Sequence, residues 1–371
     1  NWPIFTPKDK LGDWLEAYAK IFELQMWHST TCDKASYDTK TGAWEVHVTR
    51  DGEPLVLRPK QLVFATGAYG PPREMDFPGN ETFDGTLMHS SAYQSGSDFS
   101  GKTCVVIGSA SSAHDVCVDL WEAGADVTML QRSPSVVVRS ETLMELGFDI
   151  YSEDAVARGL DVEAADMLSA STPYALFADQ QRELYKDIQT QDAGFYQRLA
   201  AAGFAFDFGD DGSGLMVKAL RTASGYYIDV GASELIADGE IKVISGGDVV
   251  ALTPEGLRLS SGQEVPAQVI IACTGYQSMN ESVAGIVSRG AADAIGPCWG
   301  LGSGVSGDPG PWQGELRNMW KPTAVDALWF HGGNLALSRF YSRFVALQLK
   351  ARMEGVATPV YAAPEPLQRG L

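Results

Sequence analysis

The segment from Lys102 to Leu130 restricts the possible folds of this chain more than any other part of its sequence. Lys102 to Ile107 is typical of a buried strand, and Gly108-Ser109-Ala110-Ser111-Ser112-Ala113 follows it directly. A helical pattern then extends through Trp121-Glu122-Ala123 to Gly124, and a second apolar strand runs from Asp126 to Leu130. A strand, tight turn, helix and strand of this size form the unit that binds dinucleotides in doubly wound α/β folds.

The turn in this unit departs from the usual pattern of three glycines. Gly108 supplies the tight turn, but Ala110 and Ala113 stand where the second and third glycines are expected. One methyl group at each place is tolerable, and Ser111 or Ser112 can cap the helix and donate hydrogen bonds beside a phosphate. We therefore predict that Gly108, Ser109, Ala110, Ser111 and Ser112 bind a cofactor. The alternative is an ordinary tight turn between a strand and a helix.

Arg132 indicates which cofactor this is. The second strand ends in Leu130-Gln131-Arg132-Ser133, whereas an NAD site carries an acid there for the ribose 2′-hydroxyl. An arginine fits the 2′-phosphate of NADPH, which it can bind through two charge-assisted hydrogen bonds. We predict that Arg132 binds this phosphate and that Arg139 is a second contact. A surface salt bridge is the alternative for Arg132.

Composition excludes several other functions. The formal net charge of -19 argues against nucleic acid or an anionic membrane as a partner. The apolar runs are too short to span a membrane. The cysteines number five, and no two are spaced as C-x-x-C. We therefore expect a reduced, cytoplasmic protein without a disulfide framework, a metal site or a dithiol redox centre.

One pattern of strands and turns occurs twice in the sequence. In the first copy, strands around Asp51-Gly52 precede an apolar run from Gln61 to Ala65 that ends at Thr66-Gly67. In the second, the train from Asp248 to Cys273 ends at Thr274-Gly275. Two copies of one supersecondary unit suggest two related domains. No strand with a glycine-rich turn precedes Thr66, so we expect the chain to begin inside its first nucleotide-binding domain.

The stretch from Phe83 to Tyr93 reads F-x-G-x-x-x-H-S-x-x-Y and precedes the Gly108 strand. It resembles the fingerprint of the class B flavoprotein monooxygenases, which include the flavin-containing and the Baeyer–Villiger monooxygenases. The two Thr-Gly strand ends, Gln131-Arg132-Ser133, and Trp329-Phe330-His331-Gly332-Gly333-Asn334 also resemble that family. The amino-terminal FAD fingerprint of the family has no counterpart in this sequence.

The resemblance implies an NADPH- and FAD-dependent monooxygenase, which transfers one oxygen atom from a flavin C4a-hydroperoxide to a small organic substrate. It implies that His89, Ser90 and Tyr93 order the linker between the domains and contact the cofactor. Members that catalyse Baeyer–Villiger reactions usually have Trp in place of Tyr93, so this residue favours heteroatom oxygenation. Further cofactor contacts are implied for Thr66, Gly67, Thr274, Gly275, Gly333 and Asn334. A structural histidine and an ordinary glycine-rich helix entry are the alternatives for His89 and Gly333-Asn334.

These observations predict an α/β fold with two Rossmann-like domains, one inserted into the other. We expect an NADPH-binding domain at residues 71–273, and an FAD-binding domain that contributes residues 1–70 and 274–371 and is incomplete at its amino terminus. The expected partners are a small substrate, O2, and either a missing FAD segment or another chain that covers the open sheet, such as a second copy in a homodimer. The rival interpretation is a non-catalytic NADPH-binding module.

Overall fold

A computed structural model describes residue 2, residues 6–301 and residues 316–358 of the chain. Helices and strands both occur along this length. The helices are α1 Lys8–Ile21, α2 Ser111–Glu122, α3 Ser140–Thr142, α4 Glu153–Ala157, α5 Val162–Ser171, α6 Tyr174–Gln191, α7 Ala193–Ala201, α8 Gly214–Thr222, α9 Ala232–Ala237, α10 Asn280–Ile286, α11 Arg289–Ile295 and α12 Leu335–Met353. None of them has the length and apolarity that a membrane crossing needs.

The strands form five separate sheets. They are β1 Thr30–Asp38, β2 Ala43–Arg50, β3 Glu53–Leu57, β4 Leu62–Phe64, β5 Thr86–His89, β6 Thr103–Ile107, β7 Asp126–Gln131, β8 Ser135–Arg139, β9 Phe206–Asp207, β10 Tyr226–Asp229, β11 Lys242–Ser245, β12 Val249–Thr253, β13 Gly256–Leu259, β14 Glu264–Pro266, β15 Val269–Ala272 and β16 Leu328–Phe330.

The largest sheet has five parallel strands in the order β11-β7-β6-β15-β5. It contains the predicted unit of strand, turn, helix and strand as β6, α2 and β7, so the predicted α/β fold class is confirmed. Cys104 and Val106 of β6 pack under α2, while Val105 faces the opposite side of the sheet. The antiparallel sheet β12-β13-β14 covers that opposite side. Burial on both faces explains why β6 reads as a continuous apolar run.

The repeated pattern of the sequence is visible in the strands. The antiparallel sheet β1-β2-β3 precedes β4, and the antiparallel sheet β12-β13-β14 precedes β15. β4 pairs in parallel with β16, so residues near both ends of the chain share one core. Within this core the Trp44 indole donates to the Ala327 carbonyl at 3.1 Å, and the Trp329 indole donates to Gln61 Oε1 at 2.8 Å.

The region between β8 and β10 is mostly helical, which the sequence analysis did not predict. Side chains of α6 and α8 pack with Leu143 on one face of the small parallel sheet β10-β8-β9, and the Tyr196 hydroxyl of α7 donates to the Val137 carbonyl of β8 at 3.0 Å. Tyr185 of α6 is fully buried there, and its hydroxyl accepts a hydrogen bond from the backbone N–H of Leu215 at 2.8 Å. The segment thus forms its own core against one small sheet.

Helix α12 is joined to this helical segment by an ion pair whose carboxylate is buried. The guanidinium of Arg339 donates to both carboxylate oxygens of Asp166, at 2.8 and 2.6 Å, and the Tyr151 hydroxyl donates to the same carboxylate at 3.2 Å. Asp166 is only 6% exposed. The hydrogen bonds from Arg339 lower the pKa of Asp166, against the opposing effect of burial.

We expect Asp166→Asn to lower the free energy of unfolding at neutral pH by about 1–3 kcal/mol, the range for a hydrogen bond to a charged group. Because the folded-state pKa of Asp166 is depressed, its contribution is present above the unfolded pKa and is lost as the pH falls through the folded pKa. The difference between wild type and variant should therefore shrink in acid. Urea unfolding at a series of pH values measures it.

Glu163→Gln is the control, since Glu163 pairs with Arg343 at 2.7 Å on the exposed side of the same two helices. An exposed pair contributes at most about 1 kcal/mol. A difference between wild type and Asp166→Asn that is the same at every pH would contradict the assignment.

Candidate functional site

The carboxyl ends of the parallel strands bring the predicted cofactor residues to one edge of the large sheet. Ala272 of β15 lies opposite both Ile107 of β6 and His89 of β5, and Ile107 lies opposite Leu130 of β7. The residues that follow these strands therefore meet at one edge: Ser90, Gly108, Ser109, Arg132, Thr274 and Gly275. In open α/β sheets, ligands bind at this edge, where the strand order reverses.

The turn after β6 has the geometry of an anion site. Gly108 has φ +133°, and a Cβ there would lie 2.6 Å from the carbonyl oxygen of Cys273, so only glycine fits. Ala110 is extended and precedes α2 without a side-chain cap. The backbone N–H groups of Ser111 and Ser112 lie in the first turn of α2, where a helix has no internal acceptors for them. They can donate to a phosphate.

The hydroxyls of Ser109 and Ser111 in this turn are engaged within the protein. Ser135 Oγ donates to the Ser109 carbonyl at 2.7 Å, so the Ser109 hydroxyl donates in turn to Ser135 Oγ at 2.9 Å. Ser111 Oγ donates to the Tyr226 carbonyl at 2.9 Å. The predicted role of Ser111 as a hydroxyl donor to phosphate is thereby replaced by a contact to β10, and its backbone N–H remains available.

The two arginines predicted to bind phosphate differ in their surroundings. Arg132 is exposed at the end of β7 and forms no ion pair with any acid that the structure describes. Arg139 ends β8, with Nη1 3.5 Å from Oδ1 of Asp192, a carboxylate whose side chain is 2% exposed. Its guanidinium also lies over the Phe195 ring at 5.9 Å. Arg139 is thus held by contacts within the protein. Arg132 has no such ion pair among the described residues, and its guanidinium is exposed.

His89 and Tyr93 hold the linker that precedes β6. His89 Nδ1 accepts from the Ser91 N–H at 3.1 Å, so Nε2 carries the proton and donates to the Gly275 carbonyl at 3.0 Å. The Tyr93 hydroxyl donates to Asp119 of α2 at 2.6 Å. Burial, then the bond to Asp119, raises the pKa of Tyr93. His89 therefore holds the linker to the segment after β15, and Tyr93 holds it to α2.

Thr274 and Gly275 follow β15 at the point where the chain leaves the sheet. Gly275 has φ +83°. The Thr274 hydroxyl oxygen is buried and has no hydrogen-bond partner among the described residues. A buried hydroxyl without a partner is costly, and a ligand at this edge would satisfy it.

The second set of predicted residues meets at the carboxyl ends of β4 and β16. The two strands are parallel, and the His331 N–H donates to the Phe64 carbonyl at 3.0 Å. Gly332 lies against the Gly67 carbonyl so closely that a Cβ would not fit between them. Gly67 itself has φ +101° and open space beside it. Thr66 and Gly67 are exposed, so this turn can approach a ligand.

Asn334 has a role that the sequence did not indicate. Its Oδ1 accepts from the Leu337 N–H at 2.9 Å and so caps α12. Its side chain completes the helix start, and its neighbour Gly333, with φ +89°, carries the backbone toward the Gly67 turn. Burial lowers the pKa of His331, which precedes the two glycines.

Two short segments join the two strand edges. The Gly70 N–H donates to the Gln277 carbonyl at 2.9 Å, and the Gln277 N–H donates to the Pro71 carbonyl at 2.8 Å. Arg73, which the sequence analysis missed, donates its backbone N–H to Gly275 at 3.1 Å and has an exposed side chain without an ion pair among the described residues. The sequence signal that could have indicated Arg73 is its position directly after Pro71-Pro72, in the segment between Thr66-Gly67 and Thr274-Gly275.

The described residues contain no group of three or more side chains that would hold a metal ion. All five cysteines are free thiols. The two edges offer backbone groups, glycine turns and guanidinium groups that can bind anions and planar rings.

The chain is similar to several known proteins. A family model described as pyridine nucleotide-disulphide oxidoreductase matches residues 6–197. Indole-3-pyruvate monooxygenase YUCCA1 of Oryza sativa subsp. japonica is 31% identical over 278 residues, covering 75% of this chain and 61% of that protein. The probable indole-3-pyruvate monooxygenase YUCCA10 of Arabidopsis thaliana is 30% identical over 281 residues, covering 74% and 64%. The chain thus spans less than two thirds of these relatives.

Solved structures share the fold at lower identity. Cyclohexanone monooxygenase with bound epsilon-caprolactone, in the Loose conformation, superposes with a TM-score of 0.63 at 15% identity, covering 97% of this chain and 76% of that chain. OTEMO in complex with FAD and NADP has a TM-score of 0.63 at 16% identity, covering 95% and 71%.

We expect Arg139→Ala to lower the free energy of unfolding by about 1–3 kcal/mol, because it removes the ion pair of the buried Asp192 carboxylate. The affinity for NADPH should stay within about twofold of wild type, a change well below the tenfold that corresponds to 1.4 kcal/mol. Urea unfolding and calorimetric titration measure the two quantities.

Arg158→Ala removes an exposed pair with Asp149 and is the matched control, with an expected loss below about 1 kcal/mol. If Arg139→Ala instead unfolds like wild type but binds NADPH weakly, Arg139 is a phosphate contact after all.

Proposed function

Because the chain belongs to the pyridine nucleotide-disulphide oxidoreductase family, among its class B flavoprotein monooxygenases, we propose that it binds NADPH and FAD and transfers one oxygen atom of O2 to a small organic substrate. The observation that carries the proposal is the position of the two strand edges. Both lead directly into the paired segments Gly70–Arg73 and Gly275–Ser278. Ligands held at the two edges would therefore meet at this junction.

The edge of the large sheet is the proposed NADPH site. The backbone N–H groups of Ser111 and Ser112 would hold the pyrophosphate at the start of α2. Arg132 would bind the 2′-phosphate, and its lack of an internal partner leaves the guanidinium free for that bond. Thr274 and Gly275 would contact the nicotinamide side, because they follow the strand beside β6. We assign Ser109, Arg139, His89 and Tyr93 to positioning, since their side chains already have partners.

The edge formed by β4 and β16 is the proposed site of the flavin ring. The exposed Thr66-Gly67 turn offers its backbone to a planar ring, and the start of α12 at Gly333-Asn334 offers N–H donors. When bound, FAD supplies the redox and oxygen chemistry. The protein residues would orient the two cofactors toward each other.

Domain boundaries follow from the same arrangement. We propose an NADPH-binding domain at residues 71–273 and a flavin-side domain from residues 1–70 and 274–371, because the joining segments cross at these positions. The shared core of Trp44, Phe64, Met279 and Phe330 supports this division, although Leu220 of α8 also packs into it.

The reaction can be tested directly. The protein is loaded with FAD and mixed with NADPH without oxygen, and the loss of the visible flavin absorbance reports hydride transfer. Oxygen is then admitted and its uptake is measured against NADPH consumed, with and without candidate amines, sulfides and ketones. NADPH binding without flavin reduction would support a non-catalytic module. A disulfide reductase is not favoured, since no C-x-x-C pair exists in the sequence.

We expect Arg132→Ala to weaken NADPH binding by about 1.5–3 kcal/mol, the range for a charged hydrogen bond, and to leave NADH binding nearly unchanged. The reason is that NADH lacks the 2′-phosphate. Calorimetric titration with both cofactors gives the two affinities. Arg73→Ala is the matched control, because Arg73 also has no ion pair among the described residues but lies beside Gly275 and should not discriminate between the cofactors. Equal losses of affinity for NADPH and NADH in Arg132→Ala would contradict the assignment of Arg132 to the 2′-phosphate.

The Gly108 turn makes a second prediction about binding. Ala110 has φ -97° and ψ -174°, an extended conformation that β-branched residues adopt readily, so Ala110→Val should fold normally. Its added methyl groups should nevertheless block the pyrophosphate and abolish NADPH binding. Ala110→Gly, which restores the glycine of the usual pattern, should bind NADPH at least as well as wild type. Normal NADPH affinity in Ala110→Val would place the cofactor elsewhere.

A further inference from the structure

We propose that Tyr69 and Tyr226 are positioning residues that couple NADPH binding at the Gly108 turn to the order of the flavin-side turn at residues 66–70. The inference rests on the proposed function, since it requires NADPH at the start of α2. It also gives a role to the stretch Tyr226–Asp229, which forms β10 and touches both sides of the junction.

The first link joins α2 to β10. Ser111 Oγ, at the start of α2, donates to the Tyr226 carbonyl at 2.9 Å. One turn later, the buried His114 ring stacks on the Tyr227 ring, with centroids 3.9 Å apart and planes 8° from parallel. Burial lowers the pKa of His114 to about 4, so the imidazole is neutral at neutral pH and stacks as an uncharged ring. The start of β10 is therefore fixed to the helix that would hold the pyrophosphate.

The second link joins β10 to the flavin-side turn. The Tyr69 hydroxyl donates to the Ala223 carbonyl at 2.7 Å, and Ala223 lies three residues before β10 in a left-handed conformation with φ +55°. Burial raises the pKa of Tyr69 to about 12, and the neighbouring phenol of Tyr226 adds to this shift. Tyr69 is therefore protonated at neutral pH and acts as a donor. It follows Gly67 by two residues, so the hydrogen bond restrains that turn.

The third link joins the same phenol to the linker before β6. The Tyr69 ring stacks on Tyr276, with centroids 5.4 Å apart and planes 25° from parallel. Tyr276 in turn meets the His89 ring edge-on at 5.3 Å. His89 also donates to Gly275, so both Thr-Gly turns are anchored to one group of rings.

The consequence is a thermodynamic coupling between the two edges. A ligand that orders the start of α2 also orders Ser111 and, through it, the start of β10. Within the described residues, this order can reach residues 66–70 through the Tyr69 hydroxyl on Ala223, the Tyr226 phenol beside Tyr69 and the Tyr276 ring stacked on Tyr69. The hydroxyl bond is the separable part of this path, because phenylalanine keeps the ring and loses the donor.

Hydrogen exchange with and without NADPH tests the coupling in the chain without added flavin. In wild type, NADPH should slow exchange at the start of α2, in residues 223–229 and in residues 66–70, the last by about tenfold, which corresponds to one neutral hydrogen bond. In Tyr69→Phe, the first two regions should still be protected, while the protection of residues 66–70 should fall below about twofold. Tyr37→Phe, which removes a phenol hydroxyl from β1 that contacts Asp326, is the control and should behave like wild type.

The outcomes separate the inference from the proposed function. No protection of α2 or residues 223–229 by NADPH in wild type would mean that NADPH does not bind there, and the proposed function would fail. Protection of those two regions without residues 66–70 in wild type, or a wild-type pattern in Tyr69→Phe, would overturn the coupling while NADPH binding stands. With FAD loaded, Tyr69→Phe should slow flavin reduction more than it weakens NADPH binding.

Discussion

The insertion of β15 between β5 and β6 is the pairing on which the rest of the structure depends. β15 comes from residues 269–272, far along the chain from its two neighbours, and pairs in parallel with both. This pairing completes the large open sheet and brings Thr274-Gly275 beside the Gly108 turn. It also starts the return segment that crosses Gly70–Arg73. Without it, the turns on the two sides of the junction would have no common frame.

Charge acts locally in this protein. The chain carries a formal net charge of -19, so its average field repels phosphate. An anion site therefore depends on close groups whose charge or dipole is not already used. Most arginines in the described part of the chain pair with carboxylates, as Arg139 does with Asp192 and Arg339 with Asp166. Among the described residues, Arg132 after β7 and Arg73 beside Gly275 form no ion pair with a carboxylate.

The two strand edges are held in place by the helical segment between β8 and β10 and by the three-stranded sheets. The Asp166–Arg339 pair fixes α12 from outside, and the rings of Tyr69, Tyr276 and His89 fix the junction from inside. Such contacts bind no cofactor themselves. They set the distance between the turns that would bind the cofactors. Small changes in that distance have large effects on the transfer of groups between bound ligands.

The sequence alone determined the unit of β6, α2 and β7, the repeated pattern of strands, the turn that begins at Gly108 and the arginine at the end of β7. Each follows from the periodicity or sterics of a few consecutive residues. Only the tertiary structure decided that Arg139 serves Asp192, that the Ser111 hydroxyl serves Tyr226 and that Tyr93 serves Asp119. A side chain's partner depends on which distant segments fold beside it, and a local sequence pattern does not indicate which segments those are.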